Sequence, residues 1–431
     1  MKKILILVLL LVFLSGCAAI PDRNTIKYEW ISKGNYPAYL NTPAHLVKLQ
    51  YPFGSENKLK AESDLENVNV VLKQIEKDFS IKQTAIMEED GVEESLLMKV
   101  NRLAGVEPVV VNDDFLELIE MAIDIAEKTN GAFDPTIGPL ARLWNISERS
   151  YVCDGLYIEP GDDYCDAPSM EAITEALALV DYEKIEIDRI AKTVYLPEVG
   201  MQLDFGGIAK GYAADKVIAF LKNEGYDSII LSLGGNIHSY GKDHINNVLF
   251  AVKIRDPFSL LWYNRIGGLR VESQSVVTSG TYERYIIDDE GNVYHHLLNA
   301  KTGYPFEGGV TSISVIAKSS AVADALATGL FGLTREEGMA LVEDTDDLEI
   351  VYITNDKNIY ISQGLKFTYD TLLNDSGFVF YGINHEDDAL LYPNTQKPST
   401  NPIVYIGATV AVLGITMIAY AIILSIKKKP V

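Results

Sequence analysis

The chain has 431 residues and a formal net charge of −23, with 37 Lys and Arg set against 60 Asp and Glu. That balance excludes a nucleic-acid backbone as the natural partner, because phosphate contacts require clustered Lys and Arg. Hydrophobic residues make up 48% of the chain, so most of it is globular with a substantial core.

The first segment reads as a targeting signal. Lys2 and Lys3 precede an apolar run from Ile4 to Leu14, and Leu14-Ser15-Gly16-Cys17 follows. Basic, apolar and small residues in that order make a signal peptide, residues 1–16. The Leu-Ser-Gly-Cys ending resembles a bacterial lipobox, which implies cleavage before Cys17 and a lipid on its thiol. An ordinary signal peptide with an incidental Cys is the alternative. Residues 17–39 read as a tether.

Regular patterning starts near Leu40. Residues 44–50 predict a strand. Residues 63–79 place Leu65, Val68, Leu72 and Ile75 at helical spacing, and so predict an amphipathic helix. A second helix is expected over 113–129, capped by Asn112 or Asp113 and stopped by Asn130-Gly131. GAFDPTIGPLARLW, residues 131–144, carries enough Gly and Pro to predict irregular structure over most of its length. Residues 170–180 predict a helix, and 185–187 with 193–196 a hairpin. MQLDFGGIAKGYAAD, residues 201–215, reads as a strand, a Gly206-Gly207 turn and a helix opening near Ile208. Such a turn offers free N–H groups at a helix N-terminus, suited to phosphate, and Lys210 adds charge there. The Walker A spacing is absent. Strands are expected over 228–233, 248–254, 350–354 and 358–362.

The stretch from Val276 to Phe331 concentrates candidate chemistry. His296 stands three residues before Asn299 and a Lys-Thr-Gly turn, and Asp324 and Thr328 are four apart on a predicted helix. Positions i and i+4 share a helix face. A carboxylate beside a hydroxyl supplies hard oxygen donors of the kind Mg²⁺ takes, which suits metal-assisted phosphoryl transfer.

Residues 374–402 read as a juxtamembrane spacer, and 403–426 form an uncharged apolar run long enough to cross a bilayer. Lys427, Lys428 and Lys429 follow in a tail of residues 427–431, so the C-terminus is expected in the cytoplasm and the body outside it. In that setting a disulfide between Cys153 and Cys165, within a polar insertion, is allowed; free thiols are the alternative. A zinc site lacks a second ligand pair.

Seven motifs occur in order: FDPTIGPLARLW, LDFGGIAKGYAAD, LSLGGNI, IRDP, SVVTSGTYERY, HHLLNAKTGYP and ADALATGLF. Together they resemble the FAD:protein FMN transferase family, also called the ApbE family, over about residues 40–372. The resemblance implies a single α+β, T-fold-like catalytic domain over 40–373. It implies an enzyme that binds FAD, uses Mg²⁺, and attaches FMN to a Thr or Ser of a target protein with release of AMP. It also implies targets among extracytoplasmic FMN-binding domains of membrane redox complexes. Asp324 and Thr328 match the family's metal-ligand pair, and Gly207 a position offering a backbone carbonyl to the metal. Ala132, Phe133, Asp134, Asp204, Lys210 and Leu298 match FAD contacts. His296 or Asp324 is expected to help deprotonate the acceptor hydroxyl.

Two departures stand out. Asn299-Ala300 occupies the place of an Asp-Pro, and Ser80-Ile81-Lys82 lacks a Tyr that the family places against flavin. An FAD pyrophosphatase and a non-catalytic flavin-binding lipoprotein are the alternatives to transfer.

Overall fold

A computed structural model describes residues 26–40, 42–153, 165–259, 261, 263–365, 367–369 and 377–381. The expected signal peptide, Cys17 and the 403–426 span lie outside these residues. Among the described residues no helix is long and apolar enough to cross a membrane.

The fold is mixed α and β. Its frame is a nine-stranded sheet whose spatial order is Tyr28–Tyr39, Thr42–Pro52, Ser228–Leu233, Asn236–Gly241, Ser275–Gly280, Val310–Ala317, Glu349–Thr354, Asn358–Ile361 and Val379–Tyr381. Neighbours run antiparallel except the last pair, which is parallel. The central strands are buried on both faces, and their side chains alternate between two cores as a pleated strand requires. Ile313, Val315, Ile350 and Tyr352 face the larger core, with the helices. Ile316, Val351 and Ile353 face a smaller one, closed by Phe250, Val252, Ile266 and Leu269. Those four come from two strands, Phe250–Arg255 and Arg265–Val271, of a separate three-stranded sheet.

Two expectations about the ends of the domain are corrected. Residues 28–39, read as tether, form the edge strand of the large sheet. Their register slips between Tyr36 and Ala38, around Pro37, and an edge bulge is where a residue without an N–H is tolerated. Val379–Tyr381, read as spacer, pairs with Asn358–Ile361.

The helices that carry the site follow their local chemistry. Ser55–Phe79 is a 25-residue helix, longer than its apolar periodicity indicated. Asp113–Lys128 is capped by the Asn112 side chain, which accepts the Phe115 N–H at 2.8 Å. Asn130 and Gly131 then take positive φ (51° and 72°), the left-handed stop expected of Asn-Gly. The second half of the Gly/Pro-rich loop is a helix after all, Gly138–Trp144. Pro139 sits in its first turn, where its missing N–H has no intrahelical acceptor to lose. The strand expected before the Gly206-Gly207 turn does not form; residues 201–205 make one isolated bridge, Gln202 to Ile137, and the Asp204 N–H donates to the Pro135 carbonyl at 2.8 Å. Asn101 holds this segment from the side, donating to the Leu203 carbonyl at 2.9 Å and accepting its N–H at 2.7 Å. The helix that follows is Ala209–Asn223.

Candidate active site

The segments singled out by motif converge on one cavity of about 500 Å³. That volume lies within the range of small-molecule sites. Ala132, Phe133, Asp134, Asp204, Gly207, Lys210, His296, Leu298 and Thr328 all contribute to its wall. They come from four stretches at least thirty residues apart, so their meeting is a product of the fold.

Asp324 and Thr328, the expected metal ligands, are placed by the contact between two helices, Ala209–Asn223 and Ser320–Gly329. Asp324 is 3% exposed and lies just behind the cavity wall. Its Oδ2 accepts the Gly211 N–H at 2.9 Å and stands 3.6 Å from Lys210 Nζ. Asp215 ties the helices a second time: its carboxylate accepts the Ser320 and Ala321 N–H groups and the Ser319 hydroxyl. Gly207 is closely packed: a Cβ there would lie 3.2 Å from Phe133 Cε2, a tight contact, and 3.4 Å from Thr328 Oγ1. Thr328 Oγ1 lies beside Gly207, and Asp324, one helical turn before Thr328, lies beside Lys210, so the donors these residues offer are oxygens: a hydroxyl, a carboxylate and a backbone carbonyl. Among the described residues no group of three His, Cys, Asp or Glu side chains could hold a metal ion. A hard cation that takes oxygen donors, retains waters and binds substrate phosphate fits this set; a thiolate- or imidazole-seeking metal does not.

The Gly206-Gly207 turn does not offer the row of free amides that its sequence suggests. Gly206 N–H donates to Asp204 Oδ1 at 2.7 Å. The N–H groups of Ile208 and Ala209 both donate to the Phe205 carbonyl, and that of Gly211 to Asp324. Positive charge at this end comes instead from Lys210, whose ammonium is held 2.6 Å from the Gly206 carbonyl. Asp204 shapes the turn through the Gly206 bond, and burial pushes its carboxyl up from the usual range.

Asp134 also serves its own loop. Its carboxylate accepts from the Thr136 N–H, the Thr136 hydroxyl and the Tyr182 N–H, and it is buried. Desolvation raises its pKa, against the opposing pull of those bonds. Its role is to fix Ala132 and Phe133 against the cavity.

His296 stands on the wall with its Nδ1 3.2 Å from the Arg284 carbonyl. A carbonyl only accepts, so Nδ1 carries the proton and Nε2 is left with a lone pair. Burial, reinforced by the charge of Arg284, lowers its pKa to about 3. The ring is neutral at pH 7 and a weak base. Asp324, the other candidate base, already accepts the Gly211 N–H and stands beside Lys210 Nζ, whereas His296 lines the cavity with an unprotonated Nε2.

The Lys-Thr-Gly turn explains Asn299. Its Oδ1 accepts the Lys301 N–H at 2.8 Å, and its backbone carbonyl accepts from Thr302 and Gly303. A side-chain amide oxygen does this as well as a carboxylate, so Asn in place of Asp keeps the turn. Gly303 needs its φ of +77°, and its carbonyl accepts the Trp144 indole N–H at 2.7 Å.

Several wall residues were not picked out from sequence, Tyr151, Glu148 and Glu283 among them, and Arg284 could be read there as a fold residue as readily as a ligand contact. Burial raises the Glu283 pKa while Arg255, Lys210 and Arg284 pull it down. Glu283 and Arg284 sit inside the TYERY motif, so a signal existed. Tyr151 had none beyond its place beside Cys153, which is bonded to Cys165.

The ApbE family model matches residues 47–352. An FAD:protein FMN transferase of Klebsiella pneumoniae (strain 342) is 33% identical over 285 residues, 66% of this chain and 82% of the relative. One from Treponema pallidum (strain Nichols) is 35% identical over 285 residues, 63% of this chain and 74% of the relative. Among solved structures, the ApbE protein of Thermotoga maritima superposes with a TM-score of 0.61 at 28% identity, covering 78% of this chain and 98% of that one. The flavin transferase ApbE of Vibrio cholerae gives 0.60 at 24% identity, with the same coverage, and shows the likeness of fold.

Proposed function

The chain belongs to the ApbE family, and from that premise we propose how its cavity works. It is an FAD:protein FMN transferase, an enzyme whose substrate is FAD. The finer reading is that transfer depends on Mg²⁺ and ends on a Thr or Ser hydroxyl of an extracytoplasmic protein. The observation that carries it is the approach of Thr328 to Gly207 and of Asp324 to Lys210, where three of these four residues line the cavity.

Bound by those oxygens, Mg²⁺ would neutralise charge on the pyrophosphate. Lys210 adds a second positive charge from the wall. The acceptor hydroxyl oxygen bonds to the phosphorus on the FMN side, the bridging P–O bond breaks, and AMP leaves with the electron pair. The hydroxyl proton goes to His296 Nε2, the ring atom left without a proton by the Arg284 contact. Arg284 and Lys210 help hold the His296 pKa down in the free enzyme. Pyrophosphate in the cavity offsets both cations, so the ring becomes more basic once substrate is in place. Phe133 and Leu298 give the dinucleotide apolar contact, and Asp134 and Asp204 keep their loops in shape around it.

The setting follows from the two ends of the chain. A lipid on Cys17 and a span over 403–426 would tether the domain to the outer side of the cytoplasmic membrane, near membrane redox complexes carrying FMN-binding domains. The Cys153–Cys165 disulfide supports an oxidising compartment. The twisted sheet and flanking helices agree with a T-fold-like domain.

The test is to incubate the protein spanning residues 18–400 with FAD, Mg²⁺ and a partner FMN-binding domain. Covalent flavin on a partner Thr is expected. AMP and free FMN with an unlabelled partner would mean hydrolysis, and intact bound FAD would mean a binding protein. Asp324→Ala is expected to abolish Mg²⁺-dependent turnover, and full activity in that variant would refute the metal assignment.

A further inference from the structure

We propose that Tyr151 stacks on the isoalloxazine ring of the bound flavin and that the Cys153–Cys165 disulfide holds it in place. This rests on the reading that the cavity takes FAD.

With the pyrophosphate at the Lys210 end, a planar ring needs an apolar face elsewhere on the wall. Most aromatic side chains there are already committed to the cores. Phe79 stacks on Phe115 at 5.6 Å and meets Phe205 edge-on at 5.9 Å. Trp144 is fully buried against Tyr294 and Tyr304, and Phe133 is buried as well. Tyr151 differs: it is 78% exposed and still contributes to the wall. Ile81, 49% exposed, flanks the same rim, where the Lys82–Glu148 ion pair (2.7 Å) joins its segment to the residues just before Tyr151. An aromatic ring with an open face, on the same wall as a half-exposed aliphatic side chain, suits a flat heteroaromatic ligand.

So exposed a ring cannot be positioned by its own packing; the backbone must do it. Arg149 anchors one side of Tyr151, donating to the Trp144 and Asp166 carbonyls. On the other side, the Cys153 N–H donates to the Arg149 carbonyl at 2.8 Å, and the Cys153 carbonyl accepts the Ile287 N–H at 2.9 Å. The disulfide then joins Cys153 to Cys165, next to Asp166, closing a frame around Tyr151 and Val152.

The experiment compares the wild-type protein with Tyr151→Ala and Tyr151→Phe, each with and without dithiothreitol. FMN serves as the fluorescent probe, because it has the flavin ring without adenine. The wild type and Tyr151→Phe are expected to quench bound FMN, and Tyr151→Ala to lose the quenching. The KM for FAD rises roughly three- to tenfold in Tyr151→Ala, the range set by one aromatic stack. Reduction moves the wild type toward Tyr151→Ala and leaves Tyr151→Ala where it was. The side chain is exposed, so the variant folds, and an unchanged melting temperature checks this. Wild-type quenching and KM in Tyr151→Ala would overturn the stacking. Full quenching in the reduced wild type would overturn the role of the disulfide. Failure of the wild type to bind FAD or FMN at all would instead strike the function on which this rests.

Discussion

Gly211→Ala tests whether the contact between the 209–223 and 320–329 helices sets the metal site. A Cβ at Gly211 would lie 2.1 Å from the Ser320 carbonyl oxygen, 2.5 Å from its carbon and 2.7 Å from Ala321 Cα. These are backbone atoms and cannot rotate aside, so the helices must separate by about 1 Å to restore contact distances. Alanine is the better helix former by about 1 kcal/mol. Overpacking against a rigid backbone costs about 3 kcal/mol, the upper part of its usual range. The clash wins, leaving a net loss of about 2 kcal/mol and a melting temperature lower by about 3 °C in a domain of this size. The same movement stretches the 2.9 Å bond from the Gly211 N–H to Asp324 beyond hydrogen-bond reach. It also carries Asp324 and Thr328 away from Gly207 together, since both ride on the 320–329 helix. A misplacement of about 1 Å is expected to lower the transfer rate on the order of a hundredfold. Differential scanning fluorimetry and FMN transfer at saturating FAD, well below the melting transition, measure the two effects. A variant that melts early but transfers FMN at the wild-type rate would refute the coupling. One with unchanged melting would refute the packing argument itself.

Two further predictions concern His296 and the Lys-Thr-Gly turn that follows it. His296 has its folded-state pKa lowered to about 3, so its contribution to stability is present above its ordinary pKa, near 6.5, and is lost as pH falls from there toward 3. Between pH 6.5 and 5 the wild type is expected to lose on the order of 1–2 kcal/mol that His296→Asn does not lose. Parallel urea melts at the two pH values check this, and equal losses would refute the buried neutral ring. Asn299→Asp is expected to keep both the melting temperature and the transfer rate, because Oδ1 still accepts the Lys301 N–H. Asn299→Ala should lose about 1 kcal/mol with that bond, and an unchanged melting temperature in the alanine variant would remove the turn-forming role.

The elements with a clear period or a strong stop signal were legible in the chain. The 113–128 helix, its Asn112 cap and its Asn130-Gly131 stop needed no partner to be recognised. So did the strand at 228–233. The 28–39 strand was missed because it is an edge strand interrupted by Gly34 and Pro37, and only pairing with 42–52 makes it a strand. The 138–144 helix was hidden by Gly138 and Pro139, which break helices in their interiors but not at their first turn.

The sequence by itself determined the inventory of chemistry: a carboxylate and a hydroxyl one helical turn apart, a His ahead of a Lys-Thr-Gly turn, and glycines before a helix. Those are properties of residue type and spacing, and local geometry carries them. The tertiary structure decided which of these groups remain available. It spent the amides of the Gly206-Gly207 turn on Asp204, Phe205 and Asp324. It set Asp324 behind the wall, left the His296 Nε2 free of a proton, and kept Tyr151 as an open ring on a wall of committed ones. Hydrogen-bonding capacity and burial depend on partners a hundred residues away, and no spacing along the chain encodes which of them arrive.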